Sequence, residues 1–239
     1  MLGLRACTAE ENHAWSLEQF VASLLREAPN SVLDVGCGAG GLMKQVADRG
    51  VPVVGVDQAG PKLEALQAEG ADARGGSAYE LPFDDGAFDW VTLRHVPHHL
   101  ERPARAIAEA VRVCRTGVLI AEPAFDPSLP SQRTALQLDR WEKRLDRRGG
   151  MYHAEVHELG ELVAMLPELP GVELELESQR FLRLRARSTA DFAADARRRV
   201  AELAPDDAER DALDALLEDC ARDGLSWNGS ICLVVRRTG

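Results

Sequence analysis

Paired cysteines are the first thing this sequence lacks. Its five, Cys7, Cys37, Cys114, Cys220 and Cys232, are odd in number and scattered. They form no C-x-x-C pair and no His/Cys spacing of a zinc site, so neither a disulfide framework nor a structural metal organises the fold. Reduced thiols in a cytoplasmic protein are expected. Long apolar runs are also missing: none approaches the ~20 residues of a membrane-spanning helix, and the first residues carry no extended apolar segment of the secretory kind. No membrane partner is expected. Basic charge is scarce, with 28 Lys and Arg against 39 Asp and Glu, a net charge of -11. That balance disfavours a nucleic-acid partner, whose phosphates need a basic face. The basic clusters at Arg144 to Arg148 and Arg197 to Arg199 have acids interleaved around them and read as solvated helix faces. No internal repeat is visible. What remains is a chain of 239 residues with 45% hydrophobic content, enough for one substantial α/β domain and a modest elaboration.

The most informative stretch runs from Ser31 to Gly41. Val32, Leu33 and Val35 make a short apolar run, the pattern of a buried strand. Gly36, Gly38, Gly40 and Gly41 then allow a sharp turn and the close approach of a ligand to the backbone. Leu42 to Arg49 has helical character, so strand, glycine turn and helix follow one another as in the first unit of a nucleotide-binding α/β fold. Gly36, Gly38 and Gly41 satisfy G-x-G-x-x-G, a pattern that an NAD-dependent oxidoreductase shares. Asp34, two residues before the first glycine, argues the other way. A carboxylate beside the turn repels a pyrophosphate and welcomes a cation, and the cationic ligand built on adenosine is S-adenosylmethionine.

Elsewhere the chain alternates. Residues 1–12 are polar and unpatterned and are expected to be loose. Leu17, Phe20, Val21, Leu24 and Leu25 recur at helical spacing, with Ser16 available as N-cap. A second strand over residues 51–57 closes on Asp57, whose carboxylate stands where a ribose diol would meet it. A helix over Pro61 to Glu69, a connector from Gly75 to Phe83, a strand from Ala87 to Leu93, a helix beginning at Pro103 and a strand at Val118 to Ala121 complete a βαβαβαβαβ order. Ala106, Ile107, Ala110, Val111 and Cys114 form the inner face of the helix from Pro103. A parallel, doubly wound sheet follows. Beyond Pro123 the rhythm changes: helices are expected over Gln132 to Arg147 and around Val156 to Leu166, a half-exposed strand at Val172 to Leu176, and a helical pair at Ser188 to Leu203 and Asp206 to Cys220. Asp206 and Glu209 fit a capping box, Asn228-Gly229 a turn, and Ile231 to Val235 a closing strand. The reading is one domain, residues 1–239, with a cofactor-binding core at 30–122. Helical insertions at 124–154 and 179–227, after the fifth and sixth strands, are where substrate choice is expected to lie.

Residues 30–122 resemble the class I S-adenosylmethionine-dependent methyltransferases, most nearly the ubiquinone/menaquinone-biosynthesis branch with its many small-molecule enzymes. The resemblance rests on Val32-Leu-Asp-Val-Gly-Cys-Gly-Ala-Gly40, Gly55-Val-Asp57, Glu80-Leu-Pro-Phe-Asp-Asp-Gly-Ala-Phe-Asp-Trp-Val91, His98-His-Leu100 and Glu109-Ala-Val-Arg-Val113. It implies an α/β, Rossmann-like methyltransferase fold. Its doubly wound, mostly parallel sheet would have seven strands, the last of them, Ile231 to Val235, antiparallel. It implies S-adenosyl-L-methionine as cofactor, with Asp34, Gly36 and Gly38 toward the methionine end, Asp57 on the ribose and Gln58 along the adenine. Where the family carries Gly-Asp-Ala, this chain has Gly76-Ser77-Ala78, so Ser77 replaces an acid and the adenine is expected to rest on apolar walls and the backbone at Ala78.

Methyl transfer from a sulfonium needs alignment and a dry site, and a base only where the acceptor must lose a proton. His95 and Glu122, at the carboxyl ends of strands, are candidates to take that proton or orient the acceptor. His153, next to Tyr152 and after the flexible Gly149-Gly150, is a candidate lid residue. Arg94 is placed to face the cofactor carboxylate, and Cys37 fills the glycine turn. His98, His99 and His157 read as capping or packing residues, and Trp15 and Trp141 as core, with stacking on a planar substrate as the alternative. The expected function is S-adenosylmethionine-dependent methylation of an O, N or S nucleophile on a small molecule, possibly in specialised metabolism. The alternatives are an inactive or non-methylating cofactor-binding protein, and an oxidoreductase.

Overall fold

Short apolar runs become parallel strands here because both of their faces are covered. The computed structural model describes residues 3–169, 173–203 and 207–238. Helix α1 (Ala9–Arg26) precedes β1 (Val32–Val35), α2 (Gly41–Ala47), β2 (Val53–Asp57), α3 (Pro61–Ala68) and β3 (Ala73–Gly75). Then come β4 (Phe88–Arg94), a 3-10 turn (Pro97–His99), α4 (Pro103–Val113) and β5 (Cys114–Ala124). The remainder is α5 (Pro130–Arg148), α6 (Leu159–Ala164), β6 (Glu173–Phe181), α7 (Thr189–Leu203), α8 (Asp207–Asp223) and β7 (Gly229–Thr238). The seven strands lie in the order β3-β2-β1-β4-β5-β7-β6. The pairs from β3 to β5 are parallel, with Asp34 level with Gly55 on one side and Thr92 on the other. β7 runs the other way. Arg237 donates to the Cys114 carbonyl, while a Cβ on Gly117 would meet the Val235 carbonyl, so numbering rises on one strand as it falls on the other.

The chain divides into two compact units. The sheet unit comprises Leu17–Glu122, Val156–Arg180 and Ile231–Gly239. In it, alternate strand residues (Leu33, Val35, Val91, Leu93, Ile120, Leu233, Val235) pack with Ala106, Ile107, Ala110 and Val111 of α4. Pro103 opens that helix where its missing N–H costs nothing. Strand β6 lies at the end of the sheet order and is largely exposed. Its glutamates, two of which (Glu175 and Glu177) pair with Arg236, discourage edge pairing with another chain. The helical unit comprises Met1–Ser16, Pro123–Glu155 and Phe181–Ser230. Its core is Ala135, Leu138, Trp141 and Leu145 of α5 against Phe192, Ala196, Leu213 and Leu216 of α7 and α8. All five cysteines are free thiols. Among the described residues no helix is long and apolar enough to cross a membrane.

Several expectations are corrected. Of the stretch expected to be loose, residues 9–12 are helical. Helix α1 begins at Ala9 rather than after Ser16, because Thr8 and Glu11 form a reciprocal cap: Glu11 N–H donates to Thr8 Oγ1 at 3.1 Å and Thr8 N–H to Glu11 Oε2 at 2.9 Å. Ahead of it, within the helical unit, Cys7 N–H donates to the Ala186 carbonyl and Ala186 N–H to the Arg5 carbonyl. The crossover from β3 to β4 contains no helix, so the regular alternation breaks there. Cys114 is the first residue of β5, not the last of α4. The helix expected around Val156 to Leu166 is confined to Leu159–Ala164, with only Leu162 buried in it. Val172 and Asp206 lie outside the described residues.

Candidate active site

The candidate site is built at the carboxyl ends of β1, β2, β4 and β5 in the sheet unit. At the end of β1 the chain makes a left-handed step at Gly36 (φ 73°), Gly38 (φ 55°) and Gly40 (φ 74°). Two glycines do different work. A Cβ on Gly36 would stand 2.5 Å from Val96 Cγ2, so bareness there lets the glycine turn close against the segment after β4. A Cβ on Gly38 would meet no atom within 4 Å, which is room beside the backbone of the kind a ligand uses. The turn is tied to β2 three times, once by Cys37 N–H to the Val56 carbonyl at 3.2 Å. Gly36 N–H donates to the Val56 carbonyl at 2.7 Å, and Gly38 N–H to Asp57 Oδ2 at 2.6 Å. Asp57 Oδ1 also accepts from Gln58 N–H at 2.7 Å. Each carboxylate oxygen has a second lone pair, so half-buried Asp57 keeps acceptor capacity toward a ligand.

Asp34 lies inside β1, only 3% exposed, and register sets it opposite Thr92, whose hydroxyl donates to Oδ1 at 2.9 Å. Alternation along β4 puts Arg94 on the same face. Burial pushes the Asp34 carboxyl up to about 7; the Thr92 bond and the Arg94 charge pull the other way, and Asp57 adds slightly to the rise. Arg94 is itself held below its ordinary value by burial, opposed by the Asp34 charge. Cys37 sits buried behind the turn, its thiol pushed up to about 12 by burial and by the Asp34 and Asp57 charges, which makes it inert filling.

The segment after β4 is held on two sides. His95 adopts φ 56°, a left-handed conformation unusual for a side-chain-bearing residue, and its N–H donates to the Ala121 carbonyl of β5 at 2.8 Å. Val96 abuts Gly36. The 3-10 turn then brings His98 onto Glu122, at the end of β5. Nδ1 lies 2.9 and 2.8 Å from the two carboxylate oxygens. Glu122 is 0% and His98 4% exposed. Glu122 Oε2 also accepts the His157 N–H at 3.3 Å. The His98 ring lies 4.3 Å from that of His99 and 6.5 Å from that of His95, centroid to centroid.

The structure thus brings Asp34, Gly36, Cys37, Gly38, Asp57, Gln58, Arg94, His95 and Glu122 to one edge of the sheet. Gly76 N–H joins them through the Asp57 carbonyl at 2.9 Å. Beyond it, Ser77 is exposed and its hydroxyl accepts the Tyr79 N–H at 3.2 Å, while Ala78 packs on the apolar core. His153 belongs to the helical unit, with Nδ1 2.6 Å from Asp146 Oδ2. Glu122 is enclosed, so its carboxylate acts on its surroundings through His98. His98 and Thr92 were missed as site residues. The His-His pair stood in the sequence as part of a recognised motif, but its partner is 24 residues away on another strand. No sequence signal linked Thr92 to Asp34. Trp141 is core, edge-on to Phe192 at 6.3 Å, and Trp15 carries the Arg183 guanidinium over its ring. The helical unit also holds a cavity of about 510 Å³ lined by Cys7, Glu11, Asp191, Phe192 and Trp227 among others. Two of its polar groups, Glu11 and Ser188, cap α1 and α7.

Comparison with known proteins bears on the family and the fold. Residues 33–121 match the family model described as a methyltransferase domain. An uncharacterised methyltransferase of Mycobacterium tuberculosis is 41% identical over 96 residues, 39% of each chain. The ajmaline N-methyltransferase of Rauvolfia serpentina is 30% identical over 154 residues, 59% of this chain and 52% of its own. The demethylmenaquinone methyltransferase of Thermus thermophilus is 36% identical over 112 residues, 43% and 50%. The chain therefore spans about half or less of the length of these curated relatives. Among solved structures, a cyclopropane-fatty-acyl-phospholipid synthase-like protein from Lactobacillus casei superposes with a TM-score of 0.67 at 18% identity, over 97% of this chain and 95% of that one. A SAM-dependent methyltransferase from Archaeoglobus fulgidus does so at 0.54 and 18%, over 92% and 94%. At such identities the superpositions speak for the fold alone.

Proposed function

We propose that this chain transfers the methyl group of S-adenosylmethionine to a small-molecule acceptor, a reading supported by the match of residues 33–121 to the methyltransferase-domain model and by the Rossmann-like fold. The observation that carries this reading is the pair of carboxyls at the glycine turn: buried Asp34 behind it and half-buried Asp57 bonded to Gly38 N–H. This donor set suits a cationic adenosyl compound and repels the pyrophosphate of a dinucleotide. The open space at Gly38 leaves room for such a ligand to lie against the backbone.

When bound, S-adenosylmethionine supplies an activated methyl group. The protein's own part is to bind, align and exclude water. Asp34 and the backbone at Gly36 and Gly38 face its methionine end, with Arg94 toward its carboxylate and Cys37 filling the turn from behind. Asp57 accepts from the ribose, Gln58 runs along the adenine, and Ser77 and Ala78 border the adenine edge. His95 and Glu122 serve the acceptor side, and His153 belongs to the lid of the helical unit. The acceptor is read as a small molecule because the relatives whose names state one, ajmaline and demethylmenaquinone, are named for small organic compounds. Residues 124–154 and 179–227 are read as the segments that select it.

Calorimetry tests this. S-adenosylmethionine should bind and NAD should not, and binding of NAD alone would overturn the proposal. Asp57→Ala should raise the S-adenosylmethionine Kd by the worth of one or two hydrogen bonds, about 1–3 kcal/mol. Unchanged affinity would remove Asp57 from the ribose.

A further inference from the structure

Asp34 has to be accommodated in two forms at one buried place. It is 3% exposed, and near neutrality its carboxyl is divided between acid and carboxylate. A dry interior punishes such a change of form, because a hydrogen or a lone pair satisfied in one form is stranded in the other. Among the described residues, the hydrogen-bond donor to this carboxyl is the Thr92 hydroxyl, 2.9 Å from Oδ1. The same hydroxyl has a second acceptor within reach, the Leu33 carbonyl at 3.3 Å. Thr92 is itself 0% exposed, and strand register holds it level with Asp34. Its one hydrogen therefore chooses between two protein acceptors, and the choice needs only rotation about the Cβ–Oγ1 bond.

This gives each form of Asp34 a bond. With Asp34 ionised, the Thr92 O–H donates to Oδ1, a charge-assisted bond. With Asp34 protonated, Oδ1–H donates to Thr92 Oγ1 across the same pair of atoms, and the Thr92 hydrogen turns to the Leu33 carbonyl. The charged and titratable groups that act on Asp34 are Arg94 from β4, Asp57 from β2 and Cys37 of the glycine turn. Arg94 and Asp57 act through their charges, and the Cys37 thiol, pushed up to about 12, stays protonated near neutrality.

We propose that Thr92 is a positioning residue for cofactor binding, its hydroxyl turning between the Leu33 carbonyl and Asp34 so that the buried carboxyl can give up its proton as S-adenosylmethionine arrives. This rests on, and deepens, the S-adenosylmethionine reading above. In the step, the Asp34 O–H bond breaks, its electron pair stays on Oδ1 and the proton leaves to solvent. The Thr92 hydrogen then swings onto Oδ1. A charge-assisted bond at 2.9 Å outweighs a neutral one and a long one at 3.3 Å, so Thr92 favours the ionised form.

The test follows the ligand-free full chain by NMR, with the Asp34 side-chain carbon and the Thr92 methyl labelled, and S-adenosylmethionine affinity by calorimetry. In the wild type the Asp34 carbon should titrate at about 7, and the Thr92 methyl should shift with the same midpoint. Thr92→Val removes the hydroxyl at nearly constant shape and should move the Asp34 titration, and the break in the affinity profile, up by about one pH unit. Affinity should then fall about fivefold at pH 7 but under about twofold at pH 8.5. Thr92→Ser keeps a hydroxyl and should return the titration and the break toward their wild-type positions. A loss of affinity in Thr92→Val that is equal at every pH would mark a merely structural residue and overturn the proposal. So would an Asp34 titration unmoved in that variant, or a Thr92 methyl that stays still while Asp34 titrates. The wild-type methyl signal decides the matter if the variants do not fold. A wild type that shows the paired titration and binds no S-adenosylmethionine defeats the methyltransferase reading, whereas binding without any of these shifts defeats only this inference.

Discussion

The two units of this chain differ in how fully their buried carboxyls are compensated, and Asp34 marks the difference. In the helical unit, charges along α5 are matched close by. Lys143, only 2% exposed, lies 2.9 Å from Asp139; Glu142 meets Arg187 at 3.8 Å and Arg199 at 3.9 Å; and Asp146 serves both Arg199 and His153. These pairs tie α5 to Arg199 of α7 and to Arg187 just before it. In the sheet unit Asp89, at the start of β4, is paired with Arg115, but Asp34 at the glycine turn is left with a hydroxyl and a nearby guanidinium rather than a close ion pair. Burial raises the Asp34 carboxyl to about 7, and it also raises Glu142, where the Arg187 and Arg199 charges pull the other way. Paired burial builds structure, and incompletely compensated burial at strand ends stores the capacity to bind or to move a proton.

Three measurements press on that contrast, the strongest first. Trp141→Ala removes the largest buried side chain of the helical unit and should cost about 3–5 kcal/mol in urea unfolding. A loss under about 1 kcal/mol, well below that range, would mean that the paired charges rather than the packing hold that unit. Gly36→Ala should cost about 2–4 kcal/mol, since a left-handed alanine is strained and its methyl meets Val96. Gly38→Ala, with the same handedness but open space, should cost only about 1 kcal/mol of stability while weakening S-adenosylmethionine binding at least as much. Equal stability losses would show that the two glycines are not divided between packing and ligand approach. The smallest effect is in the pH dependence of stability. Asp34 ionises near its ordinary value in the unfolded chain and only at about 7 in the folded one. The folded state therefore holds the extra proton between those values, and stability falls as pH rises through that window and levels above it. Thermal melts of Asp34→Asn should lack that portion of the slope. An identical slope would place the titration elsewhere.

Much of the sheet was legible because its signals are local. Val32 to Val35 and Phe88 to Leu93 are apolar where both faces are covered, and the glycines at 36 and 38 declare a left-handed turn. Strand β3, only Ala73–Gly75, carries too little apolar content to announce itself and exists because β2 pairs with it. The start of α1 was written in Thr8 and Glu11, but the polar run after them hid it from a search for apolar periodicity. Val156 and Leu166 continued the apolar period of α6 beyond the residues that form it, and Val163 within it is 37% exposed. The site divides in the same way. Asp34, Asp57 and the glycine turn lie close in sequence or at strand tips and could be read directly. The partnerships of Asp34 with Thr92 and of His98 with Glu122 span 58 and 24 residues and are created by strand order alone.

The central claim is that the Asp34 carboxylate favours a cation at the glycine turn, and the pH dependence of cofactor affinity tests it most directly. Free Asp34 is half-protonated at about pH 7, and a bound sulfonium and ammonium should favour its ionised form, so binding below that pH must release a proton. Calorimetry between about pH 5.5 and 8.5 should show S-adenosylmethionine affinity rising with pH, by at most about tenfold per unit, and levelling above about 7. Asp34→Asn should bind more weakly at high pH and without that slope. Wild-type affinity that is flat with pH, or an Asp34→Asn variant that binds as tightly as wild type at pH 8, would contradict the account.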